Sequence, residues 1–261
     1  MGEHTTILET TPILEKTPIL EMKGINKSFG PVHVLHDADF RVYPGEVMAL
    51  VGDNGAGKST LIKCITGIYG IDSGQILFEG KPITINDPKS AAALGIEVVY
   101  QDLALCDNLD IVQNMFLGRE RKNAGILDEA TMEKMARSTL AGLSVRTVKS
   151  VRQPVASLSG GQRQTVAIAK SVLWNSKCVV LDEPTAALGV AQTQQVLQLV
   201  RNLADKGLGV VIISHNMNDV FEVADRITVL YLGRVAAEVR TSEVNRSKVI
   251  DLITSGGGIA A

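Results

Sequence analysis

The chain has 261 residues, 45% of them apolar and 21% charged, with a formal net charge of -2. That length accommodates one sizeable core with room for an inserted subdomain, and that composition excludes a disordered chain. A charge balance so near neutral gives no reason to expect nucleic acid as the main partner, and no apolar run approaches the roughly 20 residues that span a bilayer.

Residues 1–21 contain the degenerate repeat TTILE, TPILE, TPILE. Pro12 and Pro18 deny it a continuous helix, so residues 1–20 are expected to form a flexible tail or an extended edge segment. Glu3 and Glu9 stand where a secretory leader would need a basic start, which makes a cytosolic chain the expectation. From Glu21 onward short apolar runs predict strands over 47–51, 97–100, 178–181, 210–213 and 227–230. Helical segments that stop at glycines lie between them, over 59–66 before Gly67 and over 192–206 before Gly207. In the second, Val196, Val200 and Leu203 keep helical spacing. Strands separated by helices predict a mostly parallel sheet covered on both sides. The stretch from about 102 to 174 reads instead as helices over 110–117, 128–143 and 162–174, an inserted helical subdomain. Cys64, Cys106 and Cys178 have no metal-ligand spacing and read as small hydrophobes.

GDNGAGKST, after an apolar strand and before a helix, fits the phosphate-binding pattern G-x-x-x-x-G-K-S. Gly52, Asn54, Gly55 and Gly57 curl the backbone so that N–H groups face phosphate, and the helix N-terminus at Lys58, Ser59 and Thr60 adds partial positive charge. Lys58 is placed to neutralise the β- and γ-phosphates, and the Ser59 hydroxyl to ligate magnesium. CVVLDEP ends an apolar strand in two acids: Asp182 suits the magnesium shell, and Glu183 suits a general base acting on an attacking water. His215 closes GVVIISH at the same expected sheet edge, within reach of a γ-phosphate oxygen or that water. Gln101 closes VVYQ, where an amide reaches metal or water.

In LSGGQ, Ser159 and Gln162 form a capping-box pattern before a helix. The plain reading is a well-capped helix start. A second use is an anion site built from the Ser159 hydroxyl and the backbone of Gly160 and Gly161, which suggests a grip on phosphate held by another subunit.

Taken together, GDNGAGKST, Gln101, LSGGQ, VVLDEP and His215 resemble the nucleotide-binding subunit of ATP-binding cassette (ABC) transporters, from Glu21 to about Ile253. The resemblance implies an α/β P-loop NTPase core with a mostly parallel sheet, an antiparallel β subdomain and the helical insertion. It implies a single domain over 21–253, with 254–261 as a second flexible tail. It also implies ATP and Mg2+ as cofactors, with Ser59, Gln101 and Asp182 around the metal and Glu183 and His215 as catalytic residues. Two chains face head to tail, each ATP lying between one chain's phosphate loop and Ser159, Gly160, Gly161 and Gln162 of the other. The family places an aromatic against adenine, a position matched by Phe29 in KSFG. The surface near Gln101 and the helical subdomain would receive a membrane permease, at the cytoplasmic face of the inner membrane.

VYQDLALCDNLDIVQNMFLGRE, DEPTAALGV and SHNMNDVFEVADRITVL are similar to the ATPases of bacterial monosaccharide importers of the ribose, xylose and fructose group. A periplasmic sugar-binding protein is then an indirect partner. One departure is Gly189, where the wider superfamily carries an aspartate that links the two ATP sites. The competing readings are another importer or an exporter ATPase, a ribosome- or nucleic-acid-associated cassette protein, and a small-molecule kinase, which leaves LSGGQ and His215 without a role.

Overall fold

The computed structural model describes residues 17–143 and 148–258. The first two copies of the N-terminal repeat lie outside them. The third does not behave as tail: Ile19 and Leu20 are buried, and Leu20 opens the first strand. A tail expected over 1–20 therefore gives way to ordered chain before Glu21, because the two apolar residues of this copy fill a core position.

Strands β1 (Leu20–Phe29) and β2 (Val32–Val42) form an antiparallel pair, and β3 (Val47–Gly52) leads into helix α1 (Lys58–Ile65). Strands β4 (Ser73–Phe78) and β5 (Lys81–Ile83) follow, then α2 (Pro88–Leu94) and β6 (Ile96–Val99). The insertion carries α3 (Ile111–Phe116), a short hairpin of β7 (Lys122–Asn123) and β8 (Ile126–Leu127), α4 (Glu129–Gly142) and α5 (Gly160–Val172). The chain then returns through β9 (Cys178–Asp182), α6 (Val190–Asp205), β10 (Gly209–Ile213), α7 (Met217–Val223), β11 (Arg226–Tyr231), β12 (Arg234–Arg240) and α8 (Arg246–Ser255). Helix α8 extends past the expected boundary at 253, and Gly256 caps it in a left-handed conformation (φ 66°).

Six strands form the main sheet in the order β12-β11-β3-β10-β9-β6, and a four-stranded antiparallel sheet has the order β2-β1-β4-β5. β11, β3, β10, β9 and β6 run parallel, and β12 alone is antiparallel to its neighbour. The parallel strands are buried on both faces, which is why they read as unbroken apolar runs. Val47, Ala49 and Val51 enter one core with α5 and α6, while Met48 and Leu50 enter the other with α1 and the antiparallel sheet. Val179 and Leu181 against Cys178 and Val180 repeat that division. Burial pushes the Cys64 and Cys178 thiols up to about 11 and about 12, so both are inert packing groups.

The insertion's helices are set by strong local signals. Asp110 and Gln113 form a reciprocal cap on α3, and Asp128 caps α4. Met132, Ala136 and Leu140 on α4 pack with Ile111, Met115 and Phe116 of α3, and Phe116 meets Trp174 edge-on at 5.4 Å. The β7–β8 hairpin leaves no mark in the sequence, since two-residue strands carry no periodicity.

Phe40 on β2 is fully buried in the core that the antiparallel sheet shares with α1. Phe40→Ala is expected to cost about 3–5 kcal/mol, read as a lower urea midpoint at unchanged slope.

Candidate functional site

The parallel strands end at one edge, and the crevice beyond their carboxyl ends is where open α/β sheets bind ligands. β3 delivers the loop 52–57 there. At Gly52 a Cβ would run into the Leu230 carbonyl oxygen, so Gly52→Ala is expected to displace the loop's first turn. Gly57 (φ 103°) occupies the N-cap of α1, and no side chain caps that helix. Its first N–H groups are therefore available to an anion. Lys58 Nζ donates to the main-chain carbonyls of Gly52 at 2.7 Å and Asp53 at 2.9 Å. Burial lowers its pKa, opposed by the carboxylates of Glu183, Asp53 and Asp182. The cation is held at the loop's centre by the loop itself.

Strand β9 brings Asp182 to the same edge, and Ile213 of β10 is its register partner. Burial raises the Asp182 pKa and Glu183 adds to the rise, against Lys58 and Lys63. A carboxyl whose folded pKa lies above its unfolded value near 3.9 costs the fold nothing below the unfolded value. It costs the full difference above the folded value. Asp182→Asn is thus expected to raise the Tm of the nucleotide-free protein at neutral pH, with the gain shrinking as pH falls through the acidic range. Calorimetry across that range checks the sign.

Glu183 leaves the strand with a left-handed backbone (φ 49°), a conformation that costs a non-glycine residue about 1–3 kcal/mol. Its N–H donates to the Ile213 carbonyl at 2.9 Å. That turn takes the side chain out of strand alternation, and Glu183 Oε1 lies 2.8 Å from His215 Nδ1. An ionised carboxylate only accepts, so opposite that form Nδ1 is the donor, and in the neutral tautomer that donates from Nδ1 the Nε2 atom is an acceptor. That arrangement suits a proton of water; donation from Nε2 to a phosphate oxygen would need the imidazolium.

Gly52, Asn54, Gly55, Gly57, Lys58, Ser59, Thr60, Gln101, Asp182, Glu183 and His215 line one cavity of about 880 Å³. Gln101 stands two residues beyond the end of β6 rather than within it. Val34, Met217, Ile250 and Ile253 supply apolar wall that the sequence did not indicate. The helical spacing of Ile250 and Ile253 reads as ordinary core, yet Ile250 is half exposed. The oxygen donors of Ser59, Gln101 and Asp182 in this one cavity fit a hard divalent cation completed by phosphate and water.

Two predicted elements lie apart from the cavity lining. Ser159 caps α5 with the full reciprocal box: Gln162 N–H donates to Ser159 Oγ at 3.4 Å, and Ser159 N–H donates to Gln162 Oε1 at 2.9 Å. Ser159 and Gly160 are exposed, and neither they nor Gly161 and Gln162 line the cavity. Phe29 is also outside it, 40% exposed and packed edge-on against Tyr69 at 4.9 Å. Lys27 Nζ sits 5.4 Å from its ring centre.

The ABC transporter family model matches residues 35–186. The chain is 48% identical over 239 residues to the fructose import ATP-binding protein FrcA of Rhizobium meliloti, covering 89% of this chain and 92% of that one. It is 46% identical over 234 residues to the xylose/arabinose import ATP-binding protein XylG of Sulfolobus acidocaldarius, covering 90% and 93%. Among solved structures, cbiO1 of Clostridium perfringens, part of the ABC transporter complex cbiONQ, superposes with a TM-score of 0.78 at 29% identity, over 90% of this chain and 93% of that one.

Proposed function

This chain belongs to the ABC transporter family, and on that premise we propose that it is the ATP-hydrolysing subunit of a membrane importer for a monosaccharide. The observation that carries the reading is the split site. One cavity gathers the phosphate loop, Gln101, Asp182, Glu183 and His215, while the exposed N-terminus of α5 lies on the same chain but outside that cavity.

In this reading Lys58 and the N–H groups of the loop and of α1 hold the β- and γ-phosphates. Ser59, Gln101 and Asp182 hold Mg2+, which supplies charge neutralisation on the phosphate oxygens when bound. Glu183 takes a proton from the attacking water, and His215, tied to Glu183, accepts a second hydrogen bond from that water through Nε2. Ser159, Gly160, Gly161 and Gln162 of a second copy close over the γ-phosphate, so the working unit is a two-fold dimer. Phe29 receives the adenine only if it turns from Tyr69 into the site. Among the described residues no helix is long and apolar enough to cross a membrane. In the proposed assembly the chain is held at the cytoplasmic face by permease subunits docked near Gln101 and the helical insertion, with a sugar-binding protein acting at one remove.

The monosaccharide follows from the import functions named for the two relatives. It is tested by purifying the chain with its permease and measuring ATP hydrolysis against a panel of sugars with binding protein. Stimulation by a pentose or hexose is the expected result. Stimulation by none of them, with a different solute class active, overturns the cargo and leaves the ATPase standing.

A further inference from the structure

Glu183 and His215 come from different strands, yet each is followed at once by a segment tied to one buried carboxylate. Asp219 on α7 is 4% exposed. Its Oδ2 accepts the Thr185 hydroxyl at 2.6 Å, and its Oδ1 accepts the Asn216 amide at 2.9 Å. Thr185, itself 8% exposed, lies two residues after Glu183, and Asn216 directly follows His215. The carboxylate is tolerated there because it occupies the first turn of α7, where helix N–H groups favour negative charge, and because both its oxygens are bonded. Asn216 in turn caps that helix, its Oδ1 accepting from Asn218 N–H at 3.0 Å.

We propose that Asp219 is a positioning residue that clamps the segment after Glu183 to the segment after His215 and so fixes the 2.8 Å contact between those two side chains. The clamp rests on the roles assigned above to Glu183 and His215. It matters most at Glu183, whose left-handed backbone is not its intrinsic preference and needs a restraint. Without the Thr185 tether the turn relaxes, the carboxylate swings from His215, and the water loses its base. Nucleotide binding rests on the loop 52–57 and the start of α1. Lys58 there bonds the loop's own carbonyls, so binding is untouched.

The test uses the full chain with its permease and compares Asp219→Asn, Thr185→Val, Thr185→Ser and the double variant Asp219→Asn/Thr185→Val, with Glu183→Gln in parallel. The clamp predicts kcat lowered on the order of 10²-fold in Asp219→Asn and Thr185→Val, with KM for ATP near wild type in both. The Tm of the complex stays near wild type in Asp219→Asn and falls in Thr185→Val, which leaves Asp219 Oδ2 buried without its partner. It predicts near wild-type turnover in Thr185→Ser, which keeps the hydroxyl, and a double variant no slower than the slower single. Bound ATP should persist unhydrolysed in Asp219→Asn, as is also expected of Glu183→Gln, a state that simple destabilisation does not produce. Wild-type kcat in Asp219→Asn, or Thr185→Ser as slow as Thr185→Val, overturns the clamp while an inactive Glu183→Gln keeps the base assignment. Full turnover by Glu183→Gln overturns the reading on which the clamp rests.

Discussion

Glu183→Gln lowers kcat roughly 10²–10⁴-fold, the range for loss of a general base, while the affinity for MgATP stays near wild type. The amide keeps the size of the carboxylate, and its oxygen can still accept from His215 Nδ1, so the geometry at 2.8 Å is retained. What is lost is the basic lone pair that takes the proton of water. Lys58, Ser59 and the loop glycines bind phosphate without help from that lone pair. The expected product is a complex that holds ATP and does not turn it over, detected as unhydrolysed nucleotide co-eluting with a dimer.

Ser159→Arg abolishes turnover for a different reason. Ser159 is exposed and caps α5 through the reciprocal bonds with Gln162. Losing that cap costs about 1 kcal/mol, and a cation at a helix N-terminus opposes the helix dipole. These terms lower the stability of α5 modestly, and Ser159→Ala measures the loss of the cap alone. In the proposed dimer, arginine in addition obstructs the exposed N-terminus of α5, where the phosphate held by the other chain would approach. ATP binding to the isolated chain, followed by fluorescence of a labelled nucleotide, is expected to persist in Ser159→Arg, since residues 159–162 do not line the chain's own cavity.

The parallel sheet is legible in the sequence because its strands are buried on both faces: VMALV, CVVL and GVVII carry no charged interruption. The antiparallel strands are not legible one by one. In β1, LEMKGINKSF, charged residues alternate with buried Leu20, Met22 and Ile25, and a bulge at Gly24 (φ 58°) shifts the register. Only the family resemblance implies that sheet. The third TPILE copy shows another limit: it is the same pentapeptide as the second, and nothing in its residues says that Ile19 and Leu20 enter the core.

In the site, motif spacing names the residues that line the cavity but not their contacts. That Glu183 takes φ 49° and meets His215, or that Asp219 joins Thr185 to Asn216, depends on how β9, β10 and α7 come together. Val34, Ile250 and Ile253 reach the cavity from β2 and α8, away in sequence from the loop, and no local pattern marks them. Phe29 is located by analogy; its packing on Tyr69 follows from the end of β1 meeting the turn between α1 and β4.

The central claim is that each hydrolytic site is made from Lys58 of one copy and Ser159 of another. Complementation tests it most directly: Lys58→Ala and Ser159→Arg chains are each inactive alone, and are mixed so that hybrid dimers form with the permease. A hybrid has one site in which wild-type Lys58 faces wild-type Ser159, so the account predicts ATP hydrolysis in the mixture that neither parent shows. If both halves of a site came from one chain, no hybrid would contain an intact site. Absence of activity at every mixing ratio, with hybrid formation verified by differential tags, would contradict the account.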